Sequence, residues 1–236
     1  MTEGKFMLSA VIVAAGDGIR MHSPINKQFI EIKGKPVLLR TLENFCGMPE
    51  IDEIVVVLNK SDLNMFEEKI KSRLSKDCEV KVTYGGEMRY ISVMNGLMAV
   101  NKDTDYILVH DGARPFVKKI EIKNVILKAK ETGAALLGYH VIDTIKKIKD
   151  GVIVKTPNRE FLYAVQTPQV FKADILRKAY SDENIKKLGF TPTDDSVVVE
   201  SAGYEVSLVE GEQENIKITT PYDLIIADII AEREDA

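Results

Sequence analysis

The chain has 236 residues, of which 45% are hydrophobic and 29% are charged, and its formal net charge is −4 at pH 7. This composition excludes an intrinsically disordered chain, because it supplies enough apolar side chains to offset the entropy lost on ordering. The mild acidity argues against a nucleic-acid partner, and the lack of any apolar run of about 18 residues argues against a membrane-spanning segment.

In chain order, apolar runs of strand length alternate with segments of helical periodicity. The predicted strands are 8–14, 53–58, 80–84 and 106–110, and the predicted helices are 36–47, 62–75, 89–100 and 119–132. Nearly continuous apolar strands are typical of sheets that carry helices on both faces. This order predicts an α/β fold with a mostly parallel central sheet and right-handed crossovers.

Two of these helices have end signals. The side-chain oxygen of Ser61 or Asp62 is expected to accept a hydrogen bond from a first-turn amide and so cap helix 62–75. Gly133 directly follows helix 119–132, at the position where glycine commonly ends a helix.

The alternation stops after a predicted strand at 134–138. Residues 139–165 contain no convincing helix, and two short strands flank a Lys-Asp-Gly turn signal at 149–151. Because an isolated two-stranded ribbon is marginal in water, we predict that this β-hairpin arm packs against a second subunit; the alternative is a hairpin folded back on its own domain. The later predicted elements are helices 173–180, 193–201 and 221–232 and a strand at 205–209.

The whole chain, 1–236, is predicted to be a single domain with 139–165 as its arm. Its two cysteines, Cys46 and Cys78, form no CxxC motif, and with three scattered histidines they complete no zinc pattern. We expect them to be reduced, partly buried thiols. The short polar amino terminus has no apolar signal core, so a cytoplasmic location is expected.

The sharpest motif is the segment 14–21, AAGDGIRM, directly after the first strand. Its two glycines would let backbone amides approach an anion, and Arg20 and Lys27 on the same loop would surround a polyphosphate from two sides. Met21 stands where the dinucleotide fingerprint requires its third glycine, and no Walker A loop is present, which disfavours a nicotinamide dehydrogenase. The alternative is a structural turn with two solvated surface cations.

Two further motifs follow later strands, GGEMRYIS at 85–92 and VHDGARP at 109–115. Ligands collect at the carboxyl ends of parallel strands, so Gly16 and Gly86 should lie at the same edge of the sheet. A carboxylate that ends a buried strand there, Asp111, is a natural magnesium ligand alongside substrate phosphates. Alternatively, Asp111 caps the following turn and pairs with Arg114.

Taken together, the motifs resemble the cytidylyltransferase family of the non-mevalonate isoprenoid pathway that acts on 2-C-methyl-D-erythritol 4-phosphate. The matching stretches run from residue 11 to about 227 and are A-A-G-x-G-x-R-M, K-Q, G-G-x-x-R-x-x-S, V-H-D-[AG]-A-R-P, D-T-[IM]-K, T-P-Q-x-F, T-D-[DE] and N-I-K-[ILV]-T. Three positions depart from the family pattern: His22 stands where glycine is frequent, Asn26 stands before Lys27 where many members have proline, and Glu214 precedes Asn215.

The resemblance implies a Rossmann-like nucleotidyltransferase fold and a homodimer formed through the arm. It implies that CTP and 2-C-methyl-D-erythritol 4-phosphate react with Mg²⁺ to give 4-diphosphocytidyl-2-C-methyl-D-erythritol and diphosphate. By resemblance, the catalytic residues are Arg20, Lys27, Lys217 and Arg159. The CTP-binding residues are Ala14, Ala15, Gly16, Gly18, Gly86, Glu87, Ser92 and Asp111, of which Asp111 also holds the metal. The sugar-phosphate-binding residues are Arg114, Thr144, Arg159, Thr193 and Lys217, with Arg159 delivered by the neighbouring subunit.

Two alternatives remain from the sequence. A ribitol-5-phosphate cytidylyltransferase would perform the same chemistry on another polyol, although the A-A-G at 14–16 and G-A-R at 112–114 favour the methylerythritol enzyme. A non-catalytic nucleotide-binding module on the same fold is a second alternative, against which the joint presence of Arg20, Lys27, Asp111 and Lys217 argues.

Overall fold

A seven-stranded sheet runs through the centre of the computed structural model, which describes residues 6–16, 18, 21 and 25–234. In chain order the strands are β1 (Leu8–Ala14), β2 (Glu31–Ile32), β3 (Lys35–Pro36), β4 (Glu53–Leu58), β5 (Lys81–Tyr84), β6 (Tyr106–Asp111), β7 (Ala134–His140), β8 (Lys147–Lys149), β9 (Val152–Lys155), β10 (Tyr163–Lys172) and β11 (Ser207–Glu210). The helices are α1 (Val37–Phe45), α2 (Leu63–Lys69), α3 (Arg89–Ala99), α4 (Lys119–Thr132), α5 (Ala173–Ala179), α6 (Asp182–Lys187), α7 (Asp195–Ser201) and α8 (Pro221–Glu234).

The central sheet has the strand order β11-β7-β10-β6-β1-β4-β5. Its strands pair in parallel, except that β10 runs antiparallel to both β6 and β7. The predicted α/β class with a mostly parallel central sheet is therefore confirmed. The predicted bounds of strands 8–14 and 53–58 and of helix 119–132 are those observed.

Helices cover both faces of this sheet, and alternate side chains of β1 show it. Leu8, Ala10 and Ile12 pack into one apolar cluster with α1 and α4. Val11, on the opposite face, packs into a second cluster with α3. All four side chains are fully buried, which explains why the strand is apolar at successive positions.

Among the described residues, no helix combines the length and the apolar character that a membrane crossing would need.

Some elements differ from the prediction. The strands β2, β3 and β10 and the helix α6 were not predicted. The predicted helix 62–75 is divided, because α2 ends at Lys69 and a 3₁₀ turn follows at Lys71–Arg73. Gly133 does end α4, with a φ of 91° in the left-handed region that favours glycine.

The arm leaves the sheet where β7 and β10 end their pairing, at His140 opposite Tyr163. Beyond that pair, β8 and β9 form a separate antiparallel hairpin. Asp150 and Gly151, with φ of 51° and 79°, make its turn, which matches the left-handed pair that a two-residue hairpin prefers. Apolar side chains of the arm are exposed: Ile142, Ile145, Ile148, Val152, Ile153, Val154 and Phe161.

The expectation of reduced cysteines is wrong in this structure. Cys46 follows the end of α1 and Cys78 precedes β5, and a disulfide joins them with a Cα–Cα separation of 5.3 Å. That separation lies within the range that disulfides span. Their separation of 32 residues in the sequence does not indicate this contact, which arises because α1 packs on the face of the sheet whose edge strand is β5.

Candidate active site

A cleft of about 730 Å³ opens at the carboxyl ends of β1, β4 and β6. Ten of the residues predicted from the sequence line it: Ala14, Ala15, Gly16, Gly18, Lys27, Gly86, Glu87, Ser92, Asp111 and Lys217. Segments far apart in the chain therefore meet at one edge of the sheet, as the parallel topology predicts.

The described residues of the first glycine loop, which is the motif at 14–21, include Gly16 and Gly18, and both line the cleft. Gly18 has a φ of 60°, in the left-handed region that favours glycine, and its carbonyl accepts a hydrogen bond from the amide of Met21 at 2.8 Å. At Gly16, a Cβ would meet nothing within 4 Å, which leaves open space for a ligand beside the backbone. Arg20 and His22 lie outside the described residues, so the predicted role of Arg20 remains a prediction.

The second glycine loop packs directly against the first. A Cβ added to Gly85 would lie 2.3 Å from the Cβ of Ala15 and 2.6 Å from the Oγ of Ser92, so only glycine fits there. The Oγ of Ser92 accepts a hydrogen bond from the Gly86 amide at 3.2 Å. Two predicted nucleotide-binding segments are thus in contact, because the backbone of Gly85 closely approaches the side chain of Ala15.

Asp111 lies in the cleft, where three cations surround its carboxylate, and the residue is 6% exposed. It accepts hydrogen bonds from the Nζ of Lys217 at 2.7 Å and the Nε of Arg89 at 3.1 Å, and the Nε of Arg114 lies 3.7 Å away. Burial would raise the pKa of Asp111, but the cations of Arg89, Lys217 and Arg114 hold that pKa well below its ordinary value. Asp111 is therefore ionised.

Arg89 belongs to the second glycine motif, at 85–92, but the sequence predicts no role for it. Its guanidinium bridges two acids: besides Asp111, it binds both carboxylate oxygens of Asp195, at 3.1 and 2.8 Å. Burial lowers the pKa of Arg89, but Asp195 and Asp111 raise it well above the ordinary value. The hydroxyl of Tyr180 also donates to Asp195; burial and then that neighbouring carboxylate raise the pKa of Tyr180 well above its ordinary value.

His110 precedes Asp111 at the end of β6, and its buried imidazole is neutral. Burial lowers the pKa of His110 to about 3. The hydroxyl of Thr167 accepts from the Asp111 amide at 3.1 Å and lies 3.1 Å from the Nδ1 of His110. The Thr167 hydroxyl can therefore donate to Nδ1 of His110. The other ring nitrogen, Nε2, then donates to the carbonyl of Arg114 at 3.1 Å.

Lys217 is positioned by anchors on both sides of it. Asn215 is fully buried and donates through Nδ2 to the carbonyl of Thr167 at 2.9 Å. The amide of Ile218 donates to the carbonyl of Ala113 at 2.8 Å. The Nζ of Lys27 in turn donates to the Ile218 carbonyl at 2.9 Å, so both lysines are held beside the same short segment.

Four of the five predicted sugar-phosphate residues are not among those that line the cleft: Arg114, Thr144, Arg159 and Thr193. Thr144 and Arg159 are exposed on the arm, where Arg159 donates to the carbonyl of Ile142. Thr193 is exposed just before α7, whose first turn is capped by the side chain of Asp194. Arg114 is also absent from the lining, although its ion pair with Asp111 places it directly behind the cleft.

Comparison with known proteins gives a consistent family. The sequence model of 2-C-methyl-D-erythritol 4-phosphate cytidylyltransferase matches residues 8–233. A protein of that name from Clostridioides difficile is 44% identical over 228 residues, covering 97% of this chain and 95% of the relative. Another, from Clostridium botulinum, is 46% identical over 226 residues, covering 95% of this chain and 97% of the relative. These matches do not favour the ribitol-5-phosphate alternative.

Solved structures agree with this result. The 4-diphosphocytidyl-2C-methyl-D-erythritol synthase of Anaerococcus prevotii has a TM-score of 0.85 at 33% identity and covers 97% of both chains. The 2-C-methyl-D-erythritol 4-phosphate cytidylyltransferase of Thermus thermophilus has a TM-score of 0.76 at 31% identity, covering 96% of this chain and 100% of that one. The chain belongs to the 2-C-methyl-D-erythritol 4-phosphate cytidylyltransferase family of nucleotidyltransferase enzymes.

Proposed function

We propose that this chain transfers the cytidylyl group of CTP to 2-C-methyl-D-erythritol 4-phosphate in isoprenoid precursor biosynthesis. A phosphate oxygen of the polyol phosphate attacks the α-phosphorus of CTP in line, the bond from that phosphorus to the β-phosphate oxygen breaks, and diphosphate leaves. The observation that carries the proposal is a single cleft in which the cations of Lys27, Arg89 and Lys217 lie with the carboxylate of Asp111.

The attacking phosphate is already ionised at neutral pH, so the reaction needs no general base. The difficulty is the repulsion between two anions, and catalysis should come from positioning and charge stabilisation. We assign the triphosphate to the amides of Gly16 and Gly18 together with Lys27 and Arg20. Lys217, between the two phosphate sites, would stabilise charge on the transferred phosphoryl group.

The residues present fit a divalent cation such as Mg²⁺, which we propose as the cofactor. Among the residues that the structure describes, no group of three or more His, Cys, Asp or Glu side chains could hold a metal. Magnesium instead usually takes one or two carboxylates together with substrate phosphates, and Asp111 offers one ionised carboxylate inside the cleft. The bound ion would supply neutralisation of phosphate charge, while Lys217 and Arg89 keep the carboxylate of Asp111 in place.

We further propose a homodimer formed through the arm 139–165, in which Arg159 and Thr144 serve the partner's cleft. Within one chain these two residues are exposed, and so are the apolar side chains around them. An exposed apolar patch of this kind marks an interaction surface. Arg159 would bind the polyol phosphate beside Arg114 and Thr193.

We propose the cytoplasm as the location and no nucleic-acid partner, in keeping with the net charge of −4.

The fate of the CTP phosphates tests the reaction. With CTP labelled at the α-phosphorus, the label should appear in the polyol product, and with CTP labelled at the γ-phosphorus it should appear in diphosphate. Label from the γ-phosphorus in the polyol product would indicate a kinase and would refute the proposal.

Mixed dimers test delivery of Arg159 by the partner. Neither Arg159→Ala nor Lys27→Ala homodimers should turn over CTP at the normal rate. Heterodimers of the two variants should contain one intact cleft and recover activity in proportion to their abundance. Recovery absent from a verified heterodimer would contradict delivery between subunits.

A further inference from the structure

A buried carboxylate in the turn between β4 and α2 lies behind the cleft. Asp62 is 6% exposed and stands at the amino-terminal end of α2, where the sequence predicts a capping role. Its side chain makes no capping hydrogen bond to α2. A buried ionisable group that leaves its own helix uncapped must have its partners in another element.

Those partners are the two side chains on either side of Lys27. The Nδ2 of Asn26 donates to both oxygens of Asp62, at 2.9 and 2.8 Å. The Nε2 of Gln28 donates to Oδ2 of Asp62 at 3.0 Å and to the carbonyl of Ala14, at the end of β1, at 2.8 Å. The carboxylate of Asp62 therefore binds the side chains on both sides of Lys27, and Gln28 links the same segment to the end of β1.

The backbone of this segment is a single 3₁₀ turn. The amide of Phe29 donates to the carbonyl of Asn26 at 2.9 Å, and the amide of Ile30 donates to that of Lys27 at 3.2 Å. An isolated turn of this length has little stability of its own. Asn26 has φ of −62° and ψ of 139°, the φ that a proline ring would impose. In this chain the Asp62 carboxylate holds by hydrogen bonds a conformation that proline would hold covalently.

We propose that Asp62 is a positioning residue for the transfer reaction, which fixes the turn at 26–28 so that the ammonium of Lys27 is preorganised in the cleft. The Nζ of Lys27 then lies at the Ile218 carbonyl, beside the segment that carries Lys217. The inference rests on the proposed role of Lys27. Displacement of a charge stabiliser by about 1 Å can cost about 100-fold in rate, so a loosened turn should lower kcat more than it raises KM.

The first test compares Asp62→Ala with Glu68→Ala, a matched control that removes an exposed carboxylate from α2. Asp62→Ala should lower kcat by about 10- to 100-fold and leave the KM for CTP nearly unchanged. Hydrogen exchange at the amides of Phe29 and Ile30 should become faster in this variant and remain unchanged in the control. If Asp62→Ala does not fold, Asp62→Asn, which keeps the shape and one acceptor oxygen, should show a smaller effect of the same kind.

The second test is rescue by proline. Because the φ of Asn26 already suits proline, Asn26→Pro added to Asp62→Ala should restore most of the lost kcat and slow the exchange at Phe29 and Ile30. A merely structural role for Asp62 would leave kcat to follow thermal stability, with no selective rescue.

The inference is overturned if folded Asp62→Ala keeps a kcat within about twofold of the parent, well short of the expected loss. Loss of kcat without faster exchange at Phe29 and Ile30 would also overturn it. The proposed role of Lys27 fails separately, if Lys27→Ala itself turns over normally; the exchange measurement would then still report whether Asp62 holds the turn.

Discussion

Removal of the Arg89 guanidinium should strongly destabilise the fold, because two buried acids depend on it. Arg89→Met keeps the apolar stem and deletes three hydrogen bonds, one to Asp111 and two to Asp195. Asp111 retains Lys217, but Asp195, whose side chain is fully buried, is left with the hydroxyl of Tyr180 and no cation among its described contacts.

Breaking a buried ion pair by removing one partner costs about 3–5 kcal/mol. The free energy of unfolding of Arg89→Met should therefore fall by about that amount, which corresponds to a drop in Tm of about 6–20 °C for a domain of this size. Urea denaturation at pH 7 measures it. Lys128→Met removes an exposed partner of Glu131 on α4 and should cost less than about 0.5 kcal/mol.

A second substitution tests whether the uncompensated charge of Asp195 causes the loss of stability. Asp195→Asn added to Arg89→Met removes the uncompensated charge, so the double variant should be more stable than Arg89→Met alone. A loss below about 1 kcal/mol for Arg89→Met, the scale of an exposed pair, would refute the reasoning. A double variant that is destabilised by the full sum of the two single changes would refute it as well.

Three other predictions follow from the same structure. Burial would raise the pKa of Asp223, but hydrogen bonds from Thr219 and Thr220 hold that pKa below its ordinary value; Asp223→Ala should cost about 1 kcal/mol at neutral pH. This contribution is present above the unfolded pKa of about 4 and is lost as pH falls through the lower folded value, so urea melts of variant and parent should converge in acid. Lys27→Ala should lower kcat by at least about 100-fold in a diphosphate-release assay, and near-normal turnover would reject its role. By sedimentation, Ile153→Asp on the arm should be monomeric and Ile225→Asp on α8 dimeric; a dimeric Ile153→Asp would place the interface elsewhere.

Sequence periodicity predicted the parallel part of the sheet well, because strands covered on both faces are apolar at successive positions. The glycine loops and Asp111 followed from the same topology, since parallel strands place their carboxyl ends together. The strand β10 was missed for a physical reason. It contains Pro168 and buried polar residues, which argue against a central strand.

The partners of those polar residues come from distant segments. Gln169 donates to Asp194, 25 residues away, and Gln166 donates to the carbonyl of Asn215, 49 residues away. Arg89 was overlooked in the same way, because Asp195 is 106 residues from it. Local pattern identifies elements and loop ends, whereas pairing between buried polar groups requires the fold itself.

The proposed reaction is tested most directly by the initial rate of diphosphate release from CTP, with and without Mg²⁺, for two polyol phosphates. We predict Mg²⁺-dependent release that is at least about 10-fold faster with 2-C-methyl-D-erythritol 4-phosphate than with ribitol 5-phosphate, the discrimination expected when a polar site loses matched contacts. Faster release with ribitol 5-phosphate, or no release with either, would contradict the proposed function.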